Sequence, residues 1–477
     1  NYALPANGIM WTAFFAGETL TPNWKIDGVN VQTYLQSHYL GALSAIAARV
    51  DHMPHVVGFD TLNEPGLGYI GQALSEPNLA TISEGPFPVI PGPRWTPLAG
   101  LLAARGQSVR VPVLEKSDQK GKLQRGDDLV INESRTSIWL PGFEDPFEAH
   151  GAYRMESDAA IVLNEDFFRV HNGAPIDHEN DLMGPFFARM AQVMRAHRPD
   201  WIVFAELSPY VLPTGRGFPK ETPERTVNAS HWYDINLLRT KEHQPKNDPE
   251  SLKGRYRMQL GYLKYLGGAM NGGAPTLIGE YGIPYDMNDA AAYKVWANGG
   301  RGDAVWAHHT EVLSATYDVF DELLLNGTQW NYTASNRNDL RIGDGWNQED
   351  LSIFSLDQVT NPNDLDSGGR AIDGFCRPYA QRVQGVLREM RFDRTARAFE
   401  ARFDADISIK APTEIFAPRR VFEKGVSLEA SKALADWSYD AKTQTLKVWA
   451  AFDGELKVRL RPSALVGVSQ LLESPVA

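Results

Sequence analysis

The chain has 477 residues, 43% of them hydrophobic, 10% aromatic and 22% charged, which is globular composition with ample material for a large core. Forty-seven Lys and Arg against 59 Asp and Glu leave a net charge of −12 with no basic patch to neutralise phosphates, which argues against nucleic acid as a partner. No apolar run reaches the roughly 20 residues of a membrane-spanning helix, and the lone Cys376 excludes intrachain disulfides and cysteine-built zinc or iron–sulfur centres.

The sequence opens Asn1-Tyr2-Ala3, with no charged-then-apolar leader. That start and the single cysteine lean towards the cytoplasm, with secretion open if the true N-terminus lies upstream. Apolar residues at helical spacing predict an amphipathic helix over 30–49. A β-rich run, Val56 to Leu62, ends in Asn63-Glu64-Pro65, and Pro65 stops the strand because it cannot donate to a ladder. From about 66 to 180 the pattern is irregular, rich in Gly, Pro and charge, and reads as a long insertion. Within it, Gly66-Leu67-Gly68-Tyr69-Ile70-Gly71 matches a dinucleotide fingerprint, but Pro77 allows no long helix behind it, so a glycine-rich turn is the better reading. Pro86–Leu102 would either wall an apolar pocket or pack as a long loop.

Regular alternation then returns. Helices are expected at 185–197, 250–266 and 304–326, and strands at 201–205, 228–232, 275–279 and 328–332. Helices alternating with buried strands imply a parallel sheet. From about 390 the texture changes to short alternating runs at 399–405, 445–451 and 456–461, with a hairpin turn at Asp453-Gly454. The domains expected are 1–389, an α/β catalytic part, and 390–477, an antiparallel β-sandwich. Of four Asn-x-Ser/Thr sequons, those at Asn228, Asn326 and Asn331 fall on or beside expected strands and say little about secretion, while Asn132 lies in the insertion. The acidic run 357–366 lacks the ligand register of a calcium loop.

Two carboxylates, Glu64 and Glu280, end expected strands, in Asn63-Glu64-Pro65 and Gly279-Glu280-Tyr281-Gly282. In a (β/α)8 barrel that end of the sheet is where active sites form. A pair of carboxylates about 5–5.5 Å apart is what retaining glycoside hydrolysis uses, one protonating the leaving oxygen and one attacking the anomeric carbon.

On these motifs the chain resembles glycoside hydrolase family 5, a family of (β/α)8 retaining glycosidases. The resemblance implies that Glu64 is the acid/base after the fourth strand and Glu280 the nucleophile after the seventh. It implies that His231-Trp232-Tyr233 follows the sixth strand, with His231 meeting a sugar hydroxyl and Tyr233 bonding the nucleophile. Asn63 would bind the sugar 2-hydroxyl and Trp330, after the eighth strand, would floor the subsite of the cleaved sugar. The stretches 29–39 and 58–71 look closest to the β-glucosidases of glucosylceramide and steryl glucosides, related to endoglycoceramidases. Glu206 also ends a strand, and a supporting role is expected of it. Tyr285, Trp346 and Asn347 are candidates for the site rim.

The expected activity is exo-acting hydrolysis of a β-glucoside with an apolar aglycone by double displacement, with no metal or organic cofactor. An endo-acting glycanase or endoglycoceramidase is the alternative within the class, and a non-catalytic carbohydrate-binding remnant the alternative outside it. About 55 residues precede the strand matched to the fourth of the barrel, too few for three βα units. The first three units are therefore expected from a companion N-terminal segment or chain.

Overall fold

A computed structural model describes residues 5–81, 91–119, 122–209, 215–243, 249–339, 343–345, 349–364, 366–464 and 470–472. The chain divides into two compact units, one of Asn1–His231 with Leu266–Thr276, the other of Trp232–Tyr265 with Leu277–Ala477. Among the described residues, no helix is long and apolar enough to cross a membrane.

In the first unit, α1 (Pro5–Leu20) and α2 (Val31–Val50) pack together. The helix expected over 30–49 is α2, with Asn30 as its cap: the Asn30 side chain accepts from the Gln32 N–H at 2.9 Å. Helix α1 has no amphipathic signature because most of its surface is covered. Phe14, Phe15 and Ala16 are all buried, and a helix apolar on several sides belongs inside.

Strand β1 (Gly58–Asp60) leads into the insertion, which holds α3 (Pro97–Ala104) and short antiparallel pairs such as 109–111 with 129–131 and 153–156 with 159–162. The irregular reading of 66–180 is thus refined into small local sheets. In the segment Pro86–Leu102, Pro86–Ile90 lies outside the described residues, and the part from Pro97 enters α3, where Leu101 is wholly buried. From Thr96 onward the segment packs into the first unit. Asn132 spends its side-chain amide on the carbonyls of Ala103, Gln107 and Thr136. Gly66 and Gly68 lie against α1: a Cβ on Gly66 would meet the Trp11 ring at 2.3 Å, and Gly68 holds φ +60 beside Thr12. A packing turn is what this motif builds.

Helix α4 (Gly184–Arg195) buries Phe186, Phe187, Met190, Ala191 and Met194, a stripe at helical spacing. It feeds β2 (Ile202–Ala205), which lies between β1 and β3 (Thr226–Asn228) in a parallel sheet. The register sets Phe204 opposite Asp60, and Ala205 opposite Asn228. Thr276 adds a parallel bridge to Asn228.

The second unit contains α5 (Ile235–Thr240) and most of α6 (Pro249–Ala269). It also contains β4 (Leu277–Tyr281), α7 (Ala307–Leu323) and β5 (Asn326–Gln329), with β4 and β5 parallel. All the helices and parallel strands expected after residue 180 are present, with ends shifted by a few residues. The β-rich part follows. A four-stranded sheet runs β6 (Tyr379–Arg382), β9 (Thr413–Phe416), β12 (Thr445–Ala450), β11 (Leu434–Asp440). A five-stranded sheet runs β7 (Gly385–Asp393), β8 (Ala398–Ala405), β13 (Gly454–Pro462), β10 (Val426–Ala430), β14 (Gln470–Leu472). Alternate residues of β8, β12 and β13, among them Phe399, Phe403, Leu446, Val448, Leu456 and Val458, meet in one core. That alternation is the period-2 pattern on which the sandwich expectation rests. The chain is therefore a parallel α/β part followed by an antiparallel β-rich part.

Candidate active site

In the first unit, three side chains leave the C-terminal ends of adjacent parallel strands: Glu64 after β1, Glu206 after β2 and His231 after β3. The sheet register brings them together. The Thr61 N–H donates to Phe204 O at 2.9 Å and the Glu206 N–H to Thr61 Oγ1 at 3.1 Å, so the two strand ends advance in step. Glu64 sits at φ +44, a left-handed conformation uncommon for a side chain of its size. The fully buried Glu206 holds it there, its Oε1 accepting the Glu64 N–H at 2.9 Å. His231 bridges the two carboxylates: Nδ1 lies 3.1 Å from Glu64 Oε1 and Nε2 3.2 Å from Glu206 Oε1. Its side chain is only 7% exposed, against 23% for Glu64, so of this trio Glu64 is the group open to a substrate. Tyr39 donates its hydroxyl to Thr61 O at 2.7 Å. Burial, with Asp60 and Glu206 adding to it, pushes that phenol up to about 12, so it stays a donor. Asn63 is exposed beside Glu64. The ligand atoms of Glu64, Glu206 and His231 lie within 4.8 Å of one another, close enough for a metal ion.

In the second unit, Glu280 is the fourth residue of β4. Its backbone carbonyl accepts the Trp232 N–H at 2.8 Å, and its side-chain Oε1 accepts the Tyr233 hydroxyl in a short hydrogen bond. Tyr233 is aimed by its neighbours. The Trp232 indole donates to Gln259 Oε1 at 3.0 Å and packs edge-on against Tyr256, and Asp234 caps α5 while accepting from Arg255 and Tyr256. Beneath β4, the Tyr281 hydroxyl donates to Tyr317 (2.7 Å), which donates to Gln329 (2.9 Å), tying β4 to β5. Burial holds the Tyr281 phenol far above its usual range. Trp330 follows β5 directly, its N–H donating to Tyr281 O at 2.7 Å. Glu349, half-buried, is pushed upward by burial first and then by Asp344, against the opposing pull of Lys241, with Asp286 and Glu280 adding.

Of the residues singled out in the sequence, Glu64 and His231 are brought into contact in the first unit. Tyr233 and Glu280 are brought into contact in the second, with Trp330 against the far end of β4. Tyr285 is not a rim residue. It is fully buried, stacked with its ring 4.1 Å from the Arg370 guanidinium, and its hydroxyl donates to Arg370 O at 3.2 Å. Trp346 and Asn347 lie outside the described residues. Sequence reasoning missed the carboxylate-bridging geometry of His231 and the proximity of Glu349. The only signal for Glu206 was its place at a strand end.

The C-terminal part of the chain has a known counterpart. Residues 377–460 match the glycoside hydrolase family 5 C-terminal domain. The likeness extends through the α/β part. A glucosylceramidase of Cryptococcus neoformans is 27% identical over 89% of this chain and 61% of its own length. The chain thus spans about three-fifths of that relative. The crystal structure of sterylglucosidase 1 of the same yeast superposes with a TM-score of 0.81 at 25% identity, covering 97% of this chain and 71% of that one. Endo-glycoceramidase II from Rhodococcus shares the fold at 15% identity, with a TM-score of 0.52 over 97% of this chain and 69% of that one. Similarity to a glucosylceramidase and to a sterylglucosidase thus runs along most of the chain.

Proposed function

We propose that this chain acts as a retaining, exo-acting β-glucosidase on glucosides with an apolar aglycone, glucosylceramide or a steryl glucoside. The observation that carries the reading is the Tyr233 hydroxyl donated to Glu280. A carboxylate held by a phenol at the end of a parallel strand is fixed in direction, as an attacking group must be. Glu280 attacks the anomeric carbon as the glycosidic bond breaks, and Glu64 transfers its proton to the leaving oxygen. The products of this half are a glycosyl ester on Glu280, a free aglycone alcohol and an ionised Glu64. Glu64 then takes a proton from water, which attacks the same carbon and releases Glu280, so the sugar keeps its β configuration. His231 and Glu206 orient Glu64 throughout. Asn63 binds the 2-hydroxyl and Trp330 stacks beneath the sugar ring. The names of the relatives support glucose as the glycone and a lipid as the aglycone.

The same reading makes β1–β3 and β4–β5 strands of a (β/α)8 barrel that further strands would close. Two exposed edges support it. Strand β1 ends its sheet with Asp60 exposed, and in β5 the run Asn326-Gly327-Thr328 is exposed. An uncovered edge row of N–H and C=O groups is a template for another strand.

Substitution separates the roles. Glu280→Gln should abolish turnover of an aryl β-glucoside. Glu64→Ala should spare substrates with good leaving groups, lose those with poor ones, and recover in part with azide. If neither pattern appears in steady-state kinetics, the assignment of the pair is wrong.

A further inference from the structure

A second cluster in the second unit, separate from Tyr233 and Glu280, has the make-up of a metal site. After α5 the chain turns through Lys241, left-handed at φ +53, to His243. That segment is clamped to Asn288. The His243 N–H donates to Asn288 Oδ1 at 2.8 Å, Asn288 Nδ2 donates back to His243 O at 2.8 Å, and the Asn288 N–H donates to Lys241 O at 2.7 Å. The clamp presents the His243 ring to the first turns of α7, where His308 and Glu311 stand three positions apart and so share a helix face.

One ligand atom from each of His243, His308 and Glu311 lies within 4.8 Å of the other two. The His243 side chain is only 12% exposed, and its Nε2 is a buried polar atom with no hydrogen-bond partner. The nearest carboxylate oxygen, Glu311 Oε2, stands 3.6 Å away, beyond hydrogen-bond reach. The rings of His243 and His308 are 6.2 Å apart at 75°. A buried nitrogen left unpaired carries a desolvation penalty, and structures rarely keep one without a use for it.

We propose that His243, His308 and Glu311 bind one divalent ion of the zinc type. Two imidazoles and one carboxylate suit zinc, cobalt or nickel, whereas calcium and magnesium prefer oxygen-rich sets. Bonds of about 2.0–2.1 Å in a tetrahedron put ligand atoms roughly 3.4 Å apart. The three atoms need only draw in from 4.8 Å, and the exposed His308 side chain has the freedom to supply that movement. Water would complete the fourth position. The bound ion would tie the segment that follows α5 to the start of α7. The trio Glu64, Glu206 and His231 has similar spacing, but there both imidazole nitrogens already meet carboxylates.

The test is titration of the full chain with cobalt(II), read by visible absorption. One equivalent should bind with the intense bands of a tetrahedral site, and added zinc should bleach them. His308→Ala, at an exposed helix position, should keep the far-ultraviolet dichroism and metal-free melting midpoint. It should weaken binding by more than roughly tenfold, the loss that even outer-shell changes can cause. Glu311→Gln should do the same and carries the test if the alanine variant misfolds. The proposal is overturned if no stoichiometric bands form. It is equally overturned if they persist unchanged in both variants, which would put the ion on the Glu64 trio or elsewhere.

Discussion

Gly282, two residues beyond Glu280, shows how little freedom the candidate nucleophile's strand has. A Cβ at this position would stand 2.2 Å from the Trp330 carbonyl oxygen, a distance that only backbone movement can relieve. Gly282→Ala should therefore displace β4 or the turn into Trp330. We expect a loss of kcat/KM of well over about tenfold, since small misplacements of reacting groups are costly. The wild-type secondary structure should survive, and near-normal kinetics would show that the close approach is unimportant. Arg370 is the corresponding case for stability. It is fully buried and bidentate with Asp350 (2.8 and 2.5 Å), and it lies against Tyr285 and Trp306. Arg370→Met would strand the Asp350 charge in the core and should cost about 3–5 kcal/mol in urea denaturation; a change below about 1 kcal/mol would contradict the pairing. At this scale the motifs around Glu64, Glu280 and Tyr233 were legible because each is a short local pattern. The Glu64–His231–Glu206 bridge was not, because positions 64, 206 and 231 become neighbours only through the register of three parallel strands. Tyr285 was misread because a tyrosine in a Gly- and Pro-rich stretch gives no sign of the arginine it covers.

Among the elements, α7 carries a titration of its own. Asp321 is buried, and burial pushes its carboxyl up to about 7, outweighing the pull of Arg377 Nη2 at 2.6 Å. A carboxyl raised in the folded state is most comfortable protonated. The stability it confers is complete below its unfolded value of about 4 and is lost as pH rises through about 7. Asp321→Asn mimics the protonated form. The stability of wild type relative to this variant should fall between about pH 4 and 7, by at most about 1.4 kcal/mol per pH unit for one proton. A difference that is flat, or that grows with pH, would contradict this. The elements legible in the sequence were those with a strong period, α2, α4, α6 and α7 by helical spacing and β8, β12 and β13 by alternation. The insertion was not legible, because its strands of two to four residues are too short to show a period and are fixed by what they pack against. Helix α1 was missed for the opposite reason: burial on several sides erased its polar face.

For the molecule as a whole, the fold class followed from alternating helices and buried strands giving way to alternating runs, and the comparisons agree with both parts. A net charge of −12 suits an uncharged glucoside better than an anionic polymer. In the proposed mechanism Glu280 forms a covalent glycosyl intermediate which Glu64 resolves. Proton NMR of the sugar released early from an aryl β-glucoside tests it most directly. Double displacement on Glu280 releases β-glucose first, with the α anomer appearing only by mutarotation; α-glucose as the first product would contradict the mechanism.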